Sequence, residues 1–257
     1  MGNSTLLAVN VGNSETAMGL FDDGELLGQF AIATATSTTA DEAEQAIWSF
    51  LQMRDVPEPV EAIMCSVVPS LSSTWGAALE SLVGKRPLVV GPGLKSGMRL
   101  GYKDPGQMGG DRVACAVAAR ELFGSPVIVA DFGTATSFTV VDEKESLLGG
   151  AIAPGIRVGM EALSDSAAQL AETDLQAPRQ AIGRSTADAI RSGVVFGEAA
   201  RADGLVEAMW DELGYETALV ATGRFAHVAC AVSRHDFNQR DDLTLQGLRL
   251  IFNANRK

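Results

Sequence analysis

The opening of this chain is repeated in its middle. Residues 6–28 read LLAVNVGNSETAMGLFDDGELLG and residues 127–149 read VIVADFGTATSFTVVDEKESLLG, and the two segments align without a gap. Gly12 falls on Gly133, and both copies close on Leu-Leu-Gly. Each copy has the pattern of an apolar strand, a glycine turn, a second strand, an acidic turn and a third strand. The repeat predicts two similar halves, because a solenoid would need shorter periods and more copies.

The segments outside the two copies alternate between helical and strand patterns. Apolar residues at helical spacing predict helices at residues 41–53, 72–83, 111–122, 155–172, 185–213 and 243–253. Short apolar runs predict strands at residues 62–68, 87–90 and 218–221, and the Gly- and Pro-rich residues 91–109 predict a loop. Strands that lead and helices that follow indicate an α/β fold. We therefore expect an N-terminal half over residues 1–122 and a C-terminal half over residues 123–257, each a mixed sheet with flanking helices.

Composition limits the function classes. The 257 residues carry 20 Lys and Arg against 32 Asp and Glu, a formal net charge of −12, and 46% are hydrophobic. This apolar content is typical of a folded soluble protein. The acidic balance argues against a nucleic-acid partner, and the sequence contains neither a transmembrane run nor a signal-peptide pattern. Cys65, Cys115 and Cys230 are far apart and odd in number, which is typical of reduced thiols in a cytoplasmic protein.

The second glycine turn carries groups that suit phosphate. Gly133 lets the backbone approach a ligand closely, and Thr134, Thr136 and Ser137 add hydroxyl donors to the N–H groups of the turn. Asp131 could hold a hard cation such as Mg²⁺, which prefers oxygen ligands. One such turn alone would be an ordinary hairpin, but two turns at matched positions could hold a phosphate chain from both sides. The sequence has no P-loop and no dinucleotide fingerprint.

Short segments along nearly the whole chain carry a family pattern. They are, in chain order, Gly12-Asn13-Ser14, Thr39-Ala40-Asp41-Glu42, Ser66-Val67-Val68-Pro69-Ser70, Gly91-Pro92-Gly93, Gly110-Asp111-Arg112, residues 131–136, 149–155 and 185–193, Thr222-Gly223, and residues 243–248. In this order they resemble the type III pantothenate kinases, a family of the acetate/sugar kinase, heat-shock chaperone and actin superfamily. The resemblance implies two RNase H-like halves of the actin-like ATPase kind.

The resemblance also implies an activity and its residues. The family phosphorylates pantothenate with ATP to 4'-phosphopantothenate, the first step of coenzyme A biosynthesis. Asp111 would be the general base on the pantothenate hydroxyl, a role that a carboxylate in hydrogen-bond reach can perform. The residues implied in pantothenate binding are Tyr102, Gly109, Gly110, Arg112 and Thr186. The residues implied in binding ATP and its phosphates are Asn10, Gly12, Asn13, Ser14, Gly133, Thr134 and Thr136.

The family typically needs ions and a second subunit. The resemblance implies Mg²⁺ together with K⁺ or NH₄⁺, and it places Asp131 and Thr134 at the monovalent-cation site. It also implies a homodimer with the substrate pocket near the subunit interface, and no membrane partner. The same residues have ordinary structural interpretations, because Asp111 could be an N-cap carboxylate and Thr186 a hydroxyl at a helix start.

Three positions depart from the family pattern, and the mildest is Ser137, which replaces a usual Thr and keeps the hydroxyl. Asn10 stands where the family normally has Asp, whereas its counterpart in the second copy is Asp131, and an Asn lacks the charge to hold Mg²⁺. The family's Thr-Gly-Gly segment reads Thr222-Gly223-Arg224 here. Two alternatives to the kinase therefore stay open: a catalytically impaired paralogue with a binding or regulatory role, and a kinase for another small alcohol.

Overall fold

The structure is a computed structural model that describes residues 5–91, 93–102, 104–166 and 175–256. Its helices and strands follow the alternation that the sequence predicts. In chain order they are β1 (Leu6–Val11), β2 (Glu15–Asp22), β3 (Glu25–Ala33), α1 (Ala40–Arg54), β4 (Glu61–Ser66), α2 (Pro69–Val83), β5 (Leu88–Val89), β6 (Arg99–Leu100), a 3₁₀ turn (Pro105–Gln107), α3 (Gly110–Phe123), β7 (Val127–Phe132), β8 (Ala135–Val141), β9 (Ser146–Gly149), β10 (Ile152–Pro154), α4 (Ile156–Ser166), α5 (Thr186–Leu213), β11 (Ala218–Thr222), α6 (Ala226–Cys230), β12 (Asn238–Gln239) and α7 (Leu243–Asn255).

The first sheet is built on the first repeat copy. Its strand order is β3-β2-β1-β4-β5. β1, β2 and β3 pair antiparallel, whereas β4 joins β1 in parallel because α1 carries the chain across the sheet. Alternate residues of β1, Leu7, Val9 and Val11, pack in one core with the fully buried Phe50 of α1 and Trp75 of α2. The other face of β1 carries Asn10 near its end and packs against α7.

Local signals fix where the first two helices begin. Thr39 caps α1 in a capping box, in which the Glu42 N–H donates to Thr39 Oγ1 at 3.3 Å and the Thr39 N–H donates to Glu42 Oε2 at 2.8 Å. Pro69 opens α2 at the first helical position, where a missing N–H costs no hydrogen bond. These two family-like segments therefore act as helix starts.

The second sheet repeats the arrangement of the first. Its order is β12-β11-β7-β8-β9-β6, with β10 paired to β8. β7, β8 and β9 pair antiparallel, and β11 joins β7 in parallel. The core of this sheet contains Ile128, Phe132 and Phe138 of the strands and Val206 of α5. The repeat in the sequence is thus a repeat of strand order, which confirms the predicted class of two similar α/β halves with mixed sheets.

Contacts divide the chain into two compact units. One comprises Met1–Met98, Tyr102–Ala118 and Asp242–Lys257, and the other comprises Arg99–Gly101 and Ala119–Asp241. The closing helix α7 therefore belongs with the first sheet, where it packs on β1, β2 and β4. The sequence-based division after residue 122 places this helix in the C-terminal half, because the repeat covers only the hairpins and does not indicate where a later helix packs.

Other differences from the sequence prediction are small. β6, β10, α6 and β12 have five residues or fewer and were too short for their patterns to stand out. α4 is described over Ile156–Ser166, and the predicted continuation to residue 172 lies outside the described residues. Over the described ranges, no helix has both the length and the apolarity needed to cross a membrane.

Candidate active site

The first hairpin turn joins β1 to β2 through Gly12, Asn13 and Ser14. The Gly12 N–H donates to the carbonyl oxygen of Glu15 at 3.0 Å, and a Cβ on Gly12 would lie only 2.8 Å from that oxygen. The turn therefore requires glycine at this position. Asn13 is exposed and Ser14 is half-buried. The sequence predicted this turn correctly, and it leaves polar groups at the surface of the first unit.

Asn10 lies two residues before this turn and contacts Cys65. The two residues are paired in register across the parallel strands β1 and β4, so their side chains share one face of the sheet. The Cys65 thiol donates a hydrogen bond to Asn10 Oδ1 at 3.1 Å. Cys65 is buried, and Asn10 is half-buried at the open end of its strand. From the sequence, Cys65 was predicted only to be a reduced thiol, and no motif pointed to this contact.

Two glycines bring the start of α3 against the same region. A Cβ on Gly110 would lie 3.1 Å from Cys65 Cβ and 3.2 Å from Val90 Cγ1, so α3 begins in close contact with β4 and β5. A Cβ on Gly109 would overlap Asp111 Oδ1. A side chain at Gly110 would press on the packing of the helix start, and one at Gly109 would displace the Asp111 carboxylate.

The Asp111 carboxylate is held in the first turn of α3. The Arg112 N–H donates to Asp111 Oδ1 at 2.8 Å. Burial raises the pKa of the Asp111 carboxyl, while the Arg112 N–H and guanidinium act in the opposite direction. A carboxylate with a raised pKa is a better proton acceptor, which suits a general base. Burial, together with the charge of Asp111, also raises the pKa of the Cys65 thiol well above its usual value, so Cys65 keeps its proton.

The second hairpin turn joins β7 to β8 in the other unit. The Gly133 N–H donates to the Ala135 carbonyl at 3.1 Å, as Gly12 does in the first copy. Asp131 is paired in register with Thr222 of β11. Gly223 follows with a φ of +90°, and a Cβ there would lie 2.7 Å from the Phe132 carbonyl carbon and would overlap Asp131 Oδ1. The backbone at Gly223 thus lies directly against the Asp131 carboxylate.

Gly155 closes the other side of the second turn. Its N–H donates to the Thr134 carbonyl at 3.2 Å, and a Cβ there would lie 2.5 Å from the carbonyl oxygens of Gly133 and Thr134. Gly155 ends the family-like segment of residues 149–155, and nothing in the sequence pointed to this role. Arg224, which departs from the family pattern, is exposed, and its guanidinium lies 6.0 Å from the centroid of the Phe225 ring.

Thr136 faces inward, although the resemblance implied that it binds phosphate. It is fully buried, and its hydroxyl donates to Glu198 Oε1 at 2.5 Å. Glu198 is itself buried and forms an ion pair with Arg201, whose Nη2 also donates to the Pro154 carbonyl at 2.5 Å. The period-2 pattern of β8 contained the signal, because Thr136 alternates onto the same face as the core residue Phe138. No motif points to Glu198 or Arg201.

Three residues that the resemblance implies in pantothenate binding lie on different elements. Tyr102 is half-buried just after β6, and Arg112 is half-buried in the first turn of α3. Thr186 is the exposed first residue of α5, where its neighbour Ser185 provides the N-cap by accepting a hydrogen bond from the Asp188 N–H. The role of Tyr102, Arg112 and Thr186 in pantothenate binding stays a prediction.

The described residues contain no group of three or more His, Cys, Asp or Glu side chains that could hold a metal ion. The second turn instead offers a single carboxylate, Asp131, close to the backbone of Gly133 and Gly223. Mg²⁺ is usually bound by one or two carboxylates together with substrate phosphates. This donor set fits a cation that is shared with a phosphate ligand rather than one enclosed by protein.

Two units whose core strands follow the same order, each with a glycine hairpin, have the fold of the actin-like ATPases and sugar kinases. A solved structure of a putative 2-dehydro-3-deoxygalactonokinase from Sinorhizobium meliloti has this fold. It matches with a TM-score of 0.60 at 14% sequence identity, over 97% of this chain and 96% of that chain. The fold thus agrees with the class that the hairpins indicate.

Within this class, the chain belongs to the type III pantothenate kinase family. The family model described as type III pantothenate kinase matches residues 6–208. A type III pantothenate kinase of Dehalococcoides mccartyi is 38% identical over 253 residues, which cover 98% of each chain. Another, from an Anaeromyxobacter species, is 40% identical over 253 residues, covering 98% of this chain and 100% of the relative.

Proposed function

We propose that the protein transfers the γ-phosphoryl group of ATP to the hydroxyl of pantothenate and so makes 4'-phosphopantothenate, the first intermediate of coenzyme A biosynthesis. The observation that carries this proposal is the Asp111 carboxyl, which is half-buried at the start of α3 with a raised pKa. Relatives that are 38% and 40% identical over nearly their whole length, and that bear the name of this activity, support the choice of substrate.

Asp111 would act on the nucleophile. The pantothenate hydroxyl oxygen attacks the γ-phosphorus, the bond from phosphorus to the bridging oxygen of ADP breaks, and the hydroxyl proton passes to the Asp111 carboxylate. The transition state of such transfers is loose, so most of the catalysis lies in positioning and in neutralising charge on the phosphates. We assign Tyr102, Arg112, Thr186 and the backbone of Gly109 and Gly110 to pantothenate binding.

The two hairpins would hold the nucleotide phosphates. In the first, the groups are those of Asn10, Gly12, Asn13 and Ser14, and in the second those of Gly133 and Thr134. Thr136 would support the second turn through Glu198 rather than touch phosphate, because its hydroxyl is already donated. Mg²⁺ bound with ATP would neutralise phosphate charge. We further assign a monovalent cation, K⁺ or NH₄⁺, to Asp131 and Thr134.

We also propose a homodimer in the cytoplasm. Ile152 of β10 and Val158 and Leu163 of α4 are large apolar side chains that are exposed on the second unit, and a second subunit would cover such residues. Cys65, Cys115 and Cys230 form no disulfide among the described residues, which fits a reducing compartment.

The test is a coupled kinase assay with pantothenate, ATP, Mg²⁺ and K⁺. Asp111→Asn is expected to lower kcat by about a thousandfold, the scale of general-base catalysis, while nucleotide affinity stays unchanged. Asp55→Asn is the matched control, because Asp55 caps the end of α1 in a left-handed conformation that Asn adopts readily. Full turnover in Asp111→Asn would show that Asp111 is not the base. Phosphorylation of another small alcohol but not of pantothenate would overturn the substrate assignment.

A further inference from the structure

The thiol of Cys65 takes no part in the mechanism above, yet it lies between two parts of the site. On one side its Sγ donates to Asn10 Oδ1 at 3.1 Å. On the other side its Cβ packs so closely against the start of α3 that Gly110 could not carry a side chain without meeting it at 3.1 Å. Cys65 is fully buried. Its side chain therefore has little room to turn away from Asn10.

This contact decides which end of the Asn10 carboxamide is available to a ligand. The oxygen and the nitrogen of a carboxamide lie on opposite sides of Cγ, and only the nitrogen carries donor hydrogens. Because Oδ1 accepts the thiol hydrogen, Nδ2 points away from β4. Sulfur is a weak acceptor, so the opposite orientation of the amide would replace this hydrogen bond by a weaker contact from Nδ2–H to Sγ.

We propose that Cys65 is a positioning residue that fixes the Asn10 carboxamide with its NH₂ group directed to the ligand, so that the first hairpin binds nucleotide phosphate through a hydrogen-bond donor rather than through a metal ion. The inference rests on the proposed function only in taking nucleotide phosphate as the ligand of the hairpin. It assigns to the Asn10–Cys65 pair a role that an Asp at position 10 could not fill, since an ionised carboxylate has no hydrogen to donate.

The first test measures nucleotide binding without turnover. The dissociation constant of a non-hydrolysable ATP analogue is measured by calorimetry, once with Mg²⁺ and once with EDTA. Cys65→Ala is expected to weaken binding about fivefold in both conditions, the scale of one hydrogen bond. Cys65→Ser keeps a donor at this position and is expected to bind like the unmodified protein. Thermal unfolding checks that each variant is folded.

The matched control is Cys115→Ala. Cys115 is also a buried cysteine of the first unit, and its Sγ lies 3.0 Å from Thr244 Oγ1, so truncation removes the same atoms and a similar contact. Nucleotide affinity in this variant is expected to stay within about twofold of the unmodified protein. Unchanged affinity in Cys65→Ala, or equal weakening in Cys65→Ser and Cys65→Ala, would overturn the proposal.

The second test addresses the metal and does not depend on the stability of the Cys65 variants. In Asn10→Asp, binding in EDTA is expected to weaken, and the gain in affinity on adding Mg²⁺ is expected to grow about tenfold over the unmodified protein. An unchanged Mg²⁺ gain would contradict the donor role of Asn10. If the binding pattern holds but pantothenate is not phosphorylated, the proposed function fails and the positioning role stands. If pantothenate is phosphorylated but nucleotide affinity does not change in the Cys65 variants, the proposed function stands and the positioning role fails.

Discussion

The two hairpins turn on aligned glycines, but their turn lengths and their chemistry differ. In each, a glycine N–H closes the turn onto a carbonyl three or two residues ahead, and the preceding strand pairs in parallel with a later one. At equivalent positions the first hairpin has Asn10 beside Cys65, and the second has Asp131 beside Thr222. One copy thus offers a neutral donor and the other a carboxylate. A charged oxygen at this position of the second copy suits the cation that we propose there, in addition to the phosphate that we propose for both turns.

The supports of the two hairpins differ as well. Near the first, Cys65 packs against Gly110 with small, largely apolar surfaces. Behind the second, Thr136 donates to the buried Glu198, which pairs with Arg201. Removing a partner from a buried ion pair leaves an uncompensated charge, whereas small apolar contacts tolerate modest changes better. We therefore expect the second hairpin to be the more sensitive to single substitutions, and three measurements test this contrast.

The largest expected effect is on kcat and follows from removing the charge of the second hairpin. Asp131→Asn makes the two turns chemically alike and removes the only carboxylate that we assign to a cation. We expect kcat to fall about a hundredfold, because a lost cation contact costs several kcal/mol in the transition state. The coupled assay across a K⁺ titration measures it. Asn10→Ala is the comparison and should cost about tenfold. Equal losses in the two variants would contradict the expectation that Asn10 and Asp131 bind different groups.

A smaller effect is expected on stability when the support of the second hairpin is cut. Glu198→Ala leaves the Thr136 hydroxyl and the Arg201 guanidinium without their partner. We expect a loss of about 3 kcal/mol in the free energy of unfolding, the low end for a broken buried pair, since Arg201 is partly exposed. Denaturant unfolding measures this loss.

Glu207→Ala on the same helix is the control for Glu198→Ala. Glu207 is half-exposed, and its partners Arg234 and His235 lie 3.5 Å and 3.4 Å away. Exposed pairs of this kind contribute about 1 kcal/mol or less. Similar losses in both variants would show that the buried network does not anchor the hairpin.

The smallest expected effect is on the pH dependence of stability that Asp111 causes. Because burial raises the pKa of Asp111, the folded protein binds more protons than the unfolded chain at pH values between the two pKa values. Stability therefore falls as pH rises through this window and stays reduced above the folded pKa. Asp111→Asn should unfold at a slightly higher temperature than the unmodified protein at pH 7, and the difference should shrink toward pH 4. Calorimetry at several pH values measures it, and a lower unfolding temperature at pH 7 would contradict the prediction.

Much of the fold could be predicted because its signals are local. The strand-turn-strand pattern of each copy and the Thr39–Glu42 cap depend on residues close in sequence. The Asn10–Cys65 contact could not be predicted, because it depends on the register of two strands whose contacting residues are 55 apart in sequence. Thr136 was assigned to phosphate from its hydroxyl alone, whereas the alternation of β8 places it on the face of Phe138. Glu198 and Arg201 belong to no motif, so only their contacts in the structure reveal their role.

Because α7 packs on the first sheet, the two units complete their cores at different times during synthesis. Ala119–Asp241 forms nearly all of the second unit as one uninterrupted stretch, so this unit can complete its core as soon as that stretch has left the ribosome. The first unit begins earlier but lacks the helix that covers β1, β2 and β4 until residues 243–255 emerge. The strand that bears Asn10 is thus made well before the helix that encloses it.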